Sequence, residues 1–319
     1  MLKDFVKTQC IYSTHRVLID HIRSYKDKFD YKKDEEGFPY GRLKEDNGWN
    51  LKFYYLPGEN SSKLIPTKIA QKCGITIDEY FFLRDYITRY LYPHMLPGIC
   101  PEGAYRSLAG FHGQQKDSIP HVEDLCLKNK LYDLFSPLPD DIIIDCGAYI
   151  GFGELRLSRH LTSGKIIAVE GTPDCYRVLE KNVKENSINN VIAVNHAIWE
   201  KNEKRFINLG KRQGNSLINE LAFDKEKDGS EVECVNVDSI VEEYDLKKVD
   251  FVSLTLNGAE PEALQGMKNT LSNFSPRLRI AGWYKRDGVR IGNLCKNILD
   301  IFGYETIIGP HFNVFAIKR

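Results

Sequence analysis

Two carboxylates, with three glycines spaced between them, are the side chains of this sequence best placed to do chemistry. Asp145 ends the apolar run Ile142-Ile-Ile144, Gly147, Gly151 and Gly153 follow it, and Glu170 ends a second apolar run, Ile166-Ile-Ala-Val169. Branched residues in such short runs predict buried parallel strands. Gly147 allows a sharp turn where a side chain would collide with a ligand, and Gly151 and Gly153 allow close backbone approach. A carboxylate at the end of the second strand can accept both hydroxyls of a ribose. The pattern describes a cradle for a nucleoside.

The turn argues against a dinucleotide. Its glycines run G-x-x-x-G-x-G, whereas the dinucleotide fingerprint is G-x-G-x-x-G, spaced to bring amides onto a pyrophosphate. Asp145 would also set a negative charge close to that pyrophosphate. A cationic ligand suits the site. S-adenosylmethionine carries a ribose, an adenine, a sulfonium and an ammonium group and no phosphate, and is the expected cofactor.

Elements that could position these residues recur from about residue 140. Strands are expected at 142–145, 165–170, 191–195, 205–209, 231–237, 249–256, 278–283, 304–308 and 313–317. Helices are expected at 153–161, 173–187, 238–244, 260–272 and 290–301. Alternating strands and helices imply a mostly parallel sheet covered on both faces. The link 309–312 is too short for a crossover, so the last two strands must be antiparallel. The expected fold is therefore α/β: a class I methyltransferase, Rossmann-like sheet, mostly parallel with a C-terminal antiparallel hairpin. Residues 136–319 form this domain. Residues 1–135 differ in texture, with helices expected at 14–28 and 77–92 and a strand at 51–56. They are read as a mainly helical α+β cap that selects the substrate and could also form a homodimer surface.

Composition narrows the partners. The 44 basic and 44 acidic residues cancel, so nothing draws the whole chain to nucleic acid or an anionic membrane. Eight cysteines stand singly, without the paired spacing of a zinc or iron–sulfur site. No run of 18 apolar residues occurs, and the first residues lack the apolar core of a signal peptide. A cytoplasmic protein acting on a small-molecule acceptor is expected.

The motifs resemble the FkbM family of S-adenosylmethionine-dependent methyltransferases over residues 140–319. Asp145-Cys-Gly-Ala-Tyr-Ile-Gly151 is similar to the family's D-x-G-A-N-x-G, and Glu170-Gly-Thr-Pro173 to its E-P-x-P. Val249-Asp-Phe-Val-Ser-Leu-Thr-Leu-Asn-Gly-Ala-Glu260 is similar to its hallmark V-D-x-x-K-x-D-x-E-G-A-E. The resemblance implies methyl transfer, commonly to hydroxyl oxygens of sugars and natural products. It implies that Gly147, Ala148 and Gly151 line the methionine end of the cofactor with Asp145 beneath, and Tyr149 is a further expected cofactor neighbour. Glu170 would hold the ribose, and Asn195, His196 and Ala197 would flank the adenine.

Departures from the family pattern fall at its chemical centre. Thr255 and Asn257 replace the paired acids, Ser253 the lysine, Tyr149 an asparagine, Gly171 a proline and Lys285 a histidine. Thr255 and Asn257 remain expected cofactor neighbours, but a hard cation wants charged oxygen ligands, so no metal is expected. Three residues are candidates for the catalytic role. Glu260 is either a base or an acid complementing a helix dipole. Lys285 either meets the substrate or is a solvated lysine, and His112 is a base offered from the N-terminal half. His196 either contacts adenine or is a packed histidine. Loss of both carboxylates also raises an alternative: a non-catalytic cofactor-binding or scaffolding protein on the same fold.

Overall fold

A computed structural model describes residues 16–45, 50–56, 64–91, 137–209, 215–218, 229–308 and 312–318. The chain divides into two units, Met1–Tyr132 and Asp133–Arg319.

Aromatic packing holds the first unit together. Helix α1 (Arg16–Tyr25) precedes an antiparallel meander of β1 (Phe29–Lys33), β2 (Pro39–Leu43) and β3 (Lys52–Tyr54). Helices α2 (Leu64–Cys73) and α3 (Ile77–Asp85) follow, and α3 runs into a π-turn at Tyr86–Leu91. Phe29 meets Phe82 and Tyr86 edge-on at centroid distances of 4.9 and 4.8 Å, a favoured aromatic geometry. A β-carbon at Gly41 would stand 2.4 Å from the Phe82 ring, so the sheet needs glycine there. Thr76 and Glu79 form a reciprocal capping box at the start of α3. The expected strand at 51–56 spans only Lys52–Tyr54. The β1–β2 hairpin and α2 are additions to the sequence reading. In Phe29-Asp-Tyr-Lys-Lys33 only two apolar residues alternate among charges, so the strand signal is weak. The turn has a legible cause: Asp34 Oδ1 accepts from the N–H groups of Glu36 and Phe38.

The second unit is a seven-stranded sheet with helices on both faces. Its elements are β4 (Ile142–Cys146), α4 (Phe152–Leu157), β5 (Lys165–Val169), α5 (Pro173–Glu185), β6 (Val191–Val194), β7 (Ala197–Ile198), β8 (Glu203–Asn208), β9 (Gly229–Val235) and α6 (Val237–Glu243). The chain continues through β10 (Phe251–Leu254), α7 (Glu260–Gln265), α8 (Lys268–Asn273), β11 (Arg277–Ile280), β12 (Lys285–Arg286), β13 (Val289–Arg290), α9 (Ile291–Ile301), β14 (Glu305–Ile308) and β15 (Val314–Ile317). The main sheet runs β14-β15-β11-β10-β4-β5-β6. All neighbours are parallel except β15, which is antiparallel to both β11 and β14. This is the class I methyltransferase layout that the short 309–312 link predicts. A smaller sheet, β7-β9-β8, stands apart from it.

Several expected elements are shorter than their patterns, for local reasons. The apolar run at 249–256 yields a strand only at Phe251–Leu254. The expected helix 260–272 breaks in two at Gly266, where a β-carbon would lie 2.5 Å from the Trp199 carbonyl. The expected helix 153–161 stops at Leu157. Asn190 Nδ2 donates to the carbonyls of Ser158 and Leu161, which satisfies the backbone beyond that end.

The amino end of the sheet is fastened by buried charge. Asp141, 2% exposed, pairs with Arg277, accepts from the Leu138 N–H, and lies beside Asp250, which accepts from the Ile142 N–H. Removing one partner of such a pair strands the other charge in the interior. Arg277→Met is expected to lower the unfolding free energy by about 3 kcal/mol, read by denaturant titration, and adding Asp141→Asn is expected to recover part of the loss.

Candidate functional site

The carboxyl ends of β5, β4 and β10 are adjacent in the sheet, and the loops leaving them carry most of the residues singled out in the sequence. After β4, the N–H groups of Gly147 and Ala148 both donate to the Val169 carbonyl of β5, at 2.8 and 3.1 Å. Gly147 has φ +91°, and a β-carbon there would stand 2.2 Å from the Thr255 carbonyl oxygen. Only glycine fits on both counts. Tyr149 follows with φ +56°, a left-handed conformation that costs a bulky residue about 1–2 kcal/mol. Its N–H donates to Glu170 Oε2 at 2.9 Å, and the Thr172 N–H donates to Oε1 at 2.8 Å. Glu170 therefore braces the turn with both oxygens while each keeps lone-pair capacity for a further donor.

Asp145 is 1% exposed, and neither carboxylate oxygen has a hydrogen-bond partner among the described residues. A buried polar group left this way needs an explanation. Strand register aligns Ala168, Asp145, Ser253 and Arg279 in one row across β5, β4, β10 and β11. Asp145 and Arg279 thus share a face of the sheet, separated by Ser253. Arg279 is fully buried and donates to Thr255 Oγ1 at 2.7 Å and to Asn313 Oδ1 at 3.3 Å. The sequence reading passed over Arg279. Its signal was present: Arg277-Leu-Arg279 puts two cations on one side of a strand whose neighbours are all buried.

The loop after β10 is held at nearly every polar atom. Asn257, at φ +52°, donates through Nδ2 to the Asn215 carbonyl at 2.6 Å and accepts from the Tyr284 hydroxyl at 3.0 Å. Its carbonyl accepts from Ser216 Oγ at 2.9 Å. Arg286 holds the Gly258 carbonyl and both oxygens of Glu262. Burial pushes the Tyr284 hydroxyl up to about 12, so it serves this loop as a donor.

Glu260 is fully buried and folds back onto its own loop, accepting from the N–H groups of Leu256 at 2.8 Å and Gly258 at 2.9 Å. It is the first residue of α7, the place where an acid complements the helix dipole. It clamps the loop that precedes its helix. Burial raises its pKa, the backbone N–H groups of Leu256, Glu260 and Gly258 and the charge of Arg279 lower it, and burial prevails, to about 7.

The remaining candidates lie further out. Asn195, exposed, donates to the Glu170 carbonyl at 3.1 Å. His196 is half-buried, and its Nδ1 is enclosed without a hydrogen-bond partner among the described residues. Ala197 opens β7, and a β-carbon at Gly171 would stand 2.7 Å from its own, which accounts for glycine in place of the family's proline. Lys285 is exposed on the β12–β13 hairpin. His112 lies outside the described residues. No group of three or more His, Cys, Asp or Glu among the described residues is placed to hold a metal ion.

The Glu260 clamp makes a pH-dependent contribution. Its folded pKa of about 7 stands above the unfolded 4.5, so its stabilisation is complete below about pH 4.5 and is lost as pH rises through about 7. Between about pH 5 and about pH 8 the wild-type chain is expected to lose up to roughly 3 kcal/mol relative to Glu260→Gln. Unfolding midpoints of the two proteins across that range are the check; a constant difference would show that Glu260 does not titrate there.

A family model described as the methyltransferase FkbM domain matches residues 145–305, just over half of the chain. No curated protein matches the sequence. Among solved structures, the methyltransferase FkbM from Methylobacillus flagellatus KT is 15% identical, covering 78% of this chain and 69% of that one at a TM-score of 0.43. The precorrin-6y C5,15-methyltransferase from Geobacter metallireducens GS-15 is 16% identical, covering 59% and 85% at a TM-score of 0.36. Aeropyrum pernix fibrillarin, in complex with natively bound S-adenosyl-L-methionine, is 14% identical, covering 56% and 67% at 0.36. At such TM-scores the assignment rests on the family model together with the strand order and motifs above. The chain belongs to the FkbM methyltransferase domain family.

Proposed function

We propose that the chain transfers a methyl group from S-adenosylmethionine to an oxygen of a sugar or other small polyhydroxylated metabolite. The observation that carries the donor assignment is Asp145: a buried carboxylate without a hydrogen-bond partner among the described residues, behind a turn that only glycine can make. A negative charge in a low-dielectric interior acts across several ångströms, and the ligand it favours is cationic. Glu170, at the end of the neighbouring strand, supplies the second half of the fit as the carboxylate for the ribose, and Asn195, His196 and Ala197 follow the next strand, where adenine would lie.

When bound, the donor supplies an electrophilic methyl on a sulfonium whose departure leaves a neutral thioether. The protein's task is then alignment and exclusion of water, and effective molarity can lower such a barrier by about 7–11 kcal/mol. The braced loop after β10 forms a rigid wall for the acceptor beside the donor's methionine end. Lys285 is a candidate for contact with the acceptor, and His112 for its deprotonation, a role typically worth ~10²–10⁴-fold. The N-terminal unit is proposed to select the acceptor.

One observation favours a second reading. Thr255 and Asn257, which stand where the family has acids, are both engaged in hydrogen bonds that hold the loop. A chain that binds the donor without turning it over would look this way. Formation of S-adenosylhomocysteine with a panel of sugars and polyols supports the transferase; donor binding without turnover on any acceptor supports the second reading.

Two variants test the donor site. Asp145→Asn removes an unpartnered buried carboxylate, so the ligand-free protein is expected to unfold at a higher temperature while binding S-adenosylmethionine roughly tenfold or more weakly. Glu170→Ala is expected to abolish binding in calorimetric titration. Unchanged affinity in both variants would overturn the assignment.

A further inference from the structure

The segment Asn215–Ile218 lies at the carboxyl ends of the strands, and its first residue touches two of their loops at once. Asn215 Nδ2 donates to Thr172 Oγ1 at 2.8 Å, in the loop after β5. Its carbonyl accepts from Asn257 Nδ2 at 2.6 Å, in the loop after β10. Because β4 runs between β5 and β10, the glycine turn falls between the two loops that Asn215 joins. The segment is itself anchored. Ser216 exchanges two backbone hydrogen bonds with Asn208, at 2.9 and 3.0 Å, and its hydroxyl donates to the Asn257 carbonyl. Leu217 is buried with Ala197, Trp199 and Ala259.

Thr172 is an independent sign that this contact is not incidental. It is the N-cap residue of α5, where a threonine hydroxyl ordinarily accepts from an N–H in the first turn. Here the side chain makes no such bond. The hydroxyl accepts from Asn215 instead, while the Thr172 N–H donates to Glu170. A residue able to cap its helix is turned to the strap, directly beside the carboxylate assigned to the ribose.

We propose that Asn215 is a positioning residue of the donor site: by tying Thr172 to Asn257 across the glycine turn, it fixes the width of the donor cleft and slows donor release. The inference rests on the donor assignment above. A ligand seated between the two loops must wait for the tie to open before it leaves, so the tie acts on dissociation more than on association.

The test is stopped-flow dissociation of S-adenosylmethionine and S-adenosylhomocysteine from the full chain. Asn215→Ala and Thr172→Val delete the same hydrogen bond from opposite ends, and Asn215→Ala also removes a long contact of Nδ2 with Cys175 Sγ at 4.0 Å. Each is expected to speed dissociation roughly 3- to 10-fold, with little change in association rate. The double variant is expected to be no faster than either single one, because the bond can be lost only once. Thr172→Ser keeps the hydroxyl and is expected to restore the slow rate. A wild-type dissociation rate in Thr172→Val, multiplicative effects in the double variant, or a Thr172→Ser as fast as Thr172→Val would each overturn the tie while leaving the donor assignment standing. Should Asn215→Ala fail to fold, the two Thr172 variants carry the comparison alone. If the wild-type chain binds neither ligand, the donor assignment fails, and the tie with it; that result is read before any variant is made.

Discussion

At the centre of the second unit, the carbonyl oxygen of Thr255 occupies the space where a β-carbon of residue 147 would be, 2.2 Å from that position. Two neighbouring parallel strands, β4 and β10, therefore release their loops in near contact, and the rest of the arrangement follows. The turn after β4 cannot move towards β10, so it reaches the other way and gives two N–H groups to the Val169 carbonyl of β5. That sets the backbone of Tyr149 into its left-handed conformation and aims its N–H at Glu170. A single missing methyl group thus locates the turn, its brace and the carboxylate behind them.

The loop after β10 answers the family's pattern with a different economy of polar groups. Where the pattern has charged residues, this chain has Ser253 on β10 and Thr255 and Asn257 in the loop after it, and a buried cation, Arg279, stands one strand over, opposite Ser253. The amide of Asn257 and the hydroxyls of Tyr284 and Ser216 hold the loop together with the carboxylate of Glu260 and the guanidinium of Arg286. Buried charges cost several kcal/mol each unless well matched, so an acid beside Arg279 and a hydroxyl beside it are not equivalent environments. The loop keeps its shape through Glu260, Arg286, Tyr284 and Ser216, which contact it from four directions.

Much of this was legible in the sequence because it depends on residue types that admit few alternatives. Asp145, Gly147 and Glu170 announced a turn and two strand ends. The four-residue link before the last strand announced the antiparallel partner. What escaped was long-range. Arg279 lies in a run that reads as an ordinary strand, and only sheet register puts it in the row with Asp145. The particular partners of Asn215 and Ser216 lie some 40 residues away in sequence, and no local pattern names them. Glu260 is legible as an acid at a helix start, but its bonds to the amides of Leu256 and Gly258 emerge only when the loop folds back. In the first unit, Phe29 and Tyr31 gave too little alternation to mark a strand, and the ring contacts that stabilise it are invisible in one dimension.

The placement of β15 sets an order of events as the chain is made and folds. In sequence β15 follows β14, yet in space it lies between β14 and β11 and pairs antiparallel with both. While β15 is missing, β11 is an open edge of a hydrophobic parallel sheet, and β14 has no strand to join. Such an edge is a template for pairing with other chains. The core beneath it, which includes Val314 and Ala316, also stays incomplete. The sheet is therefore complete only with β15 seated between β14 and β11, where one strand covers an open edge and ties in its neighbour at once.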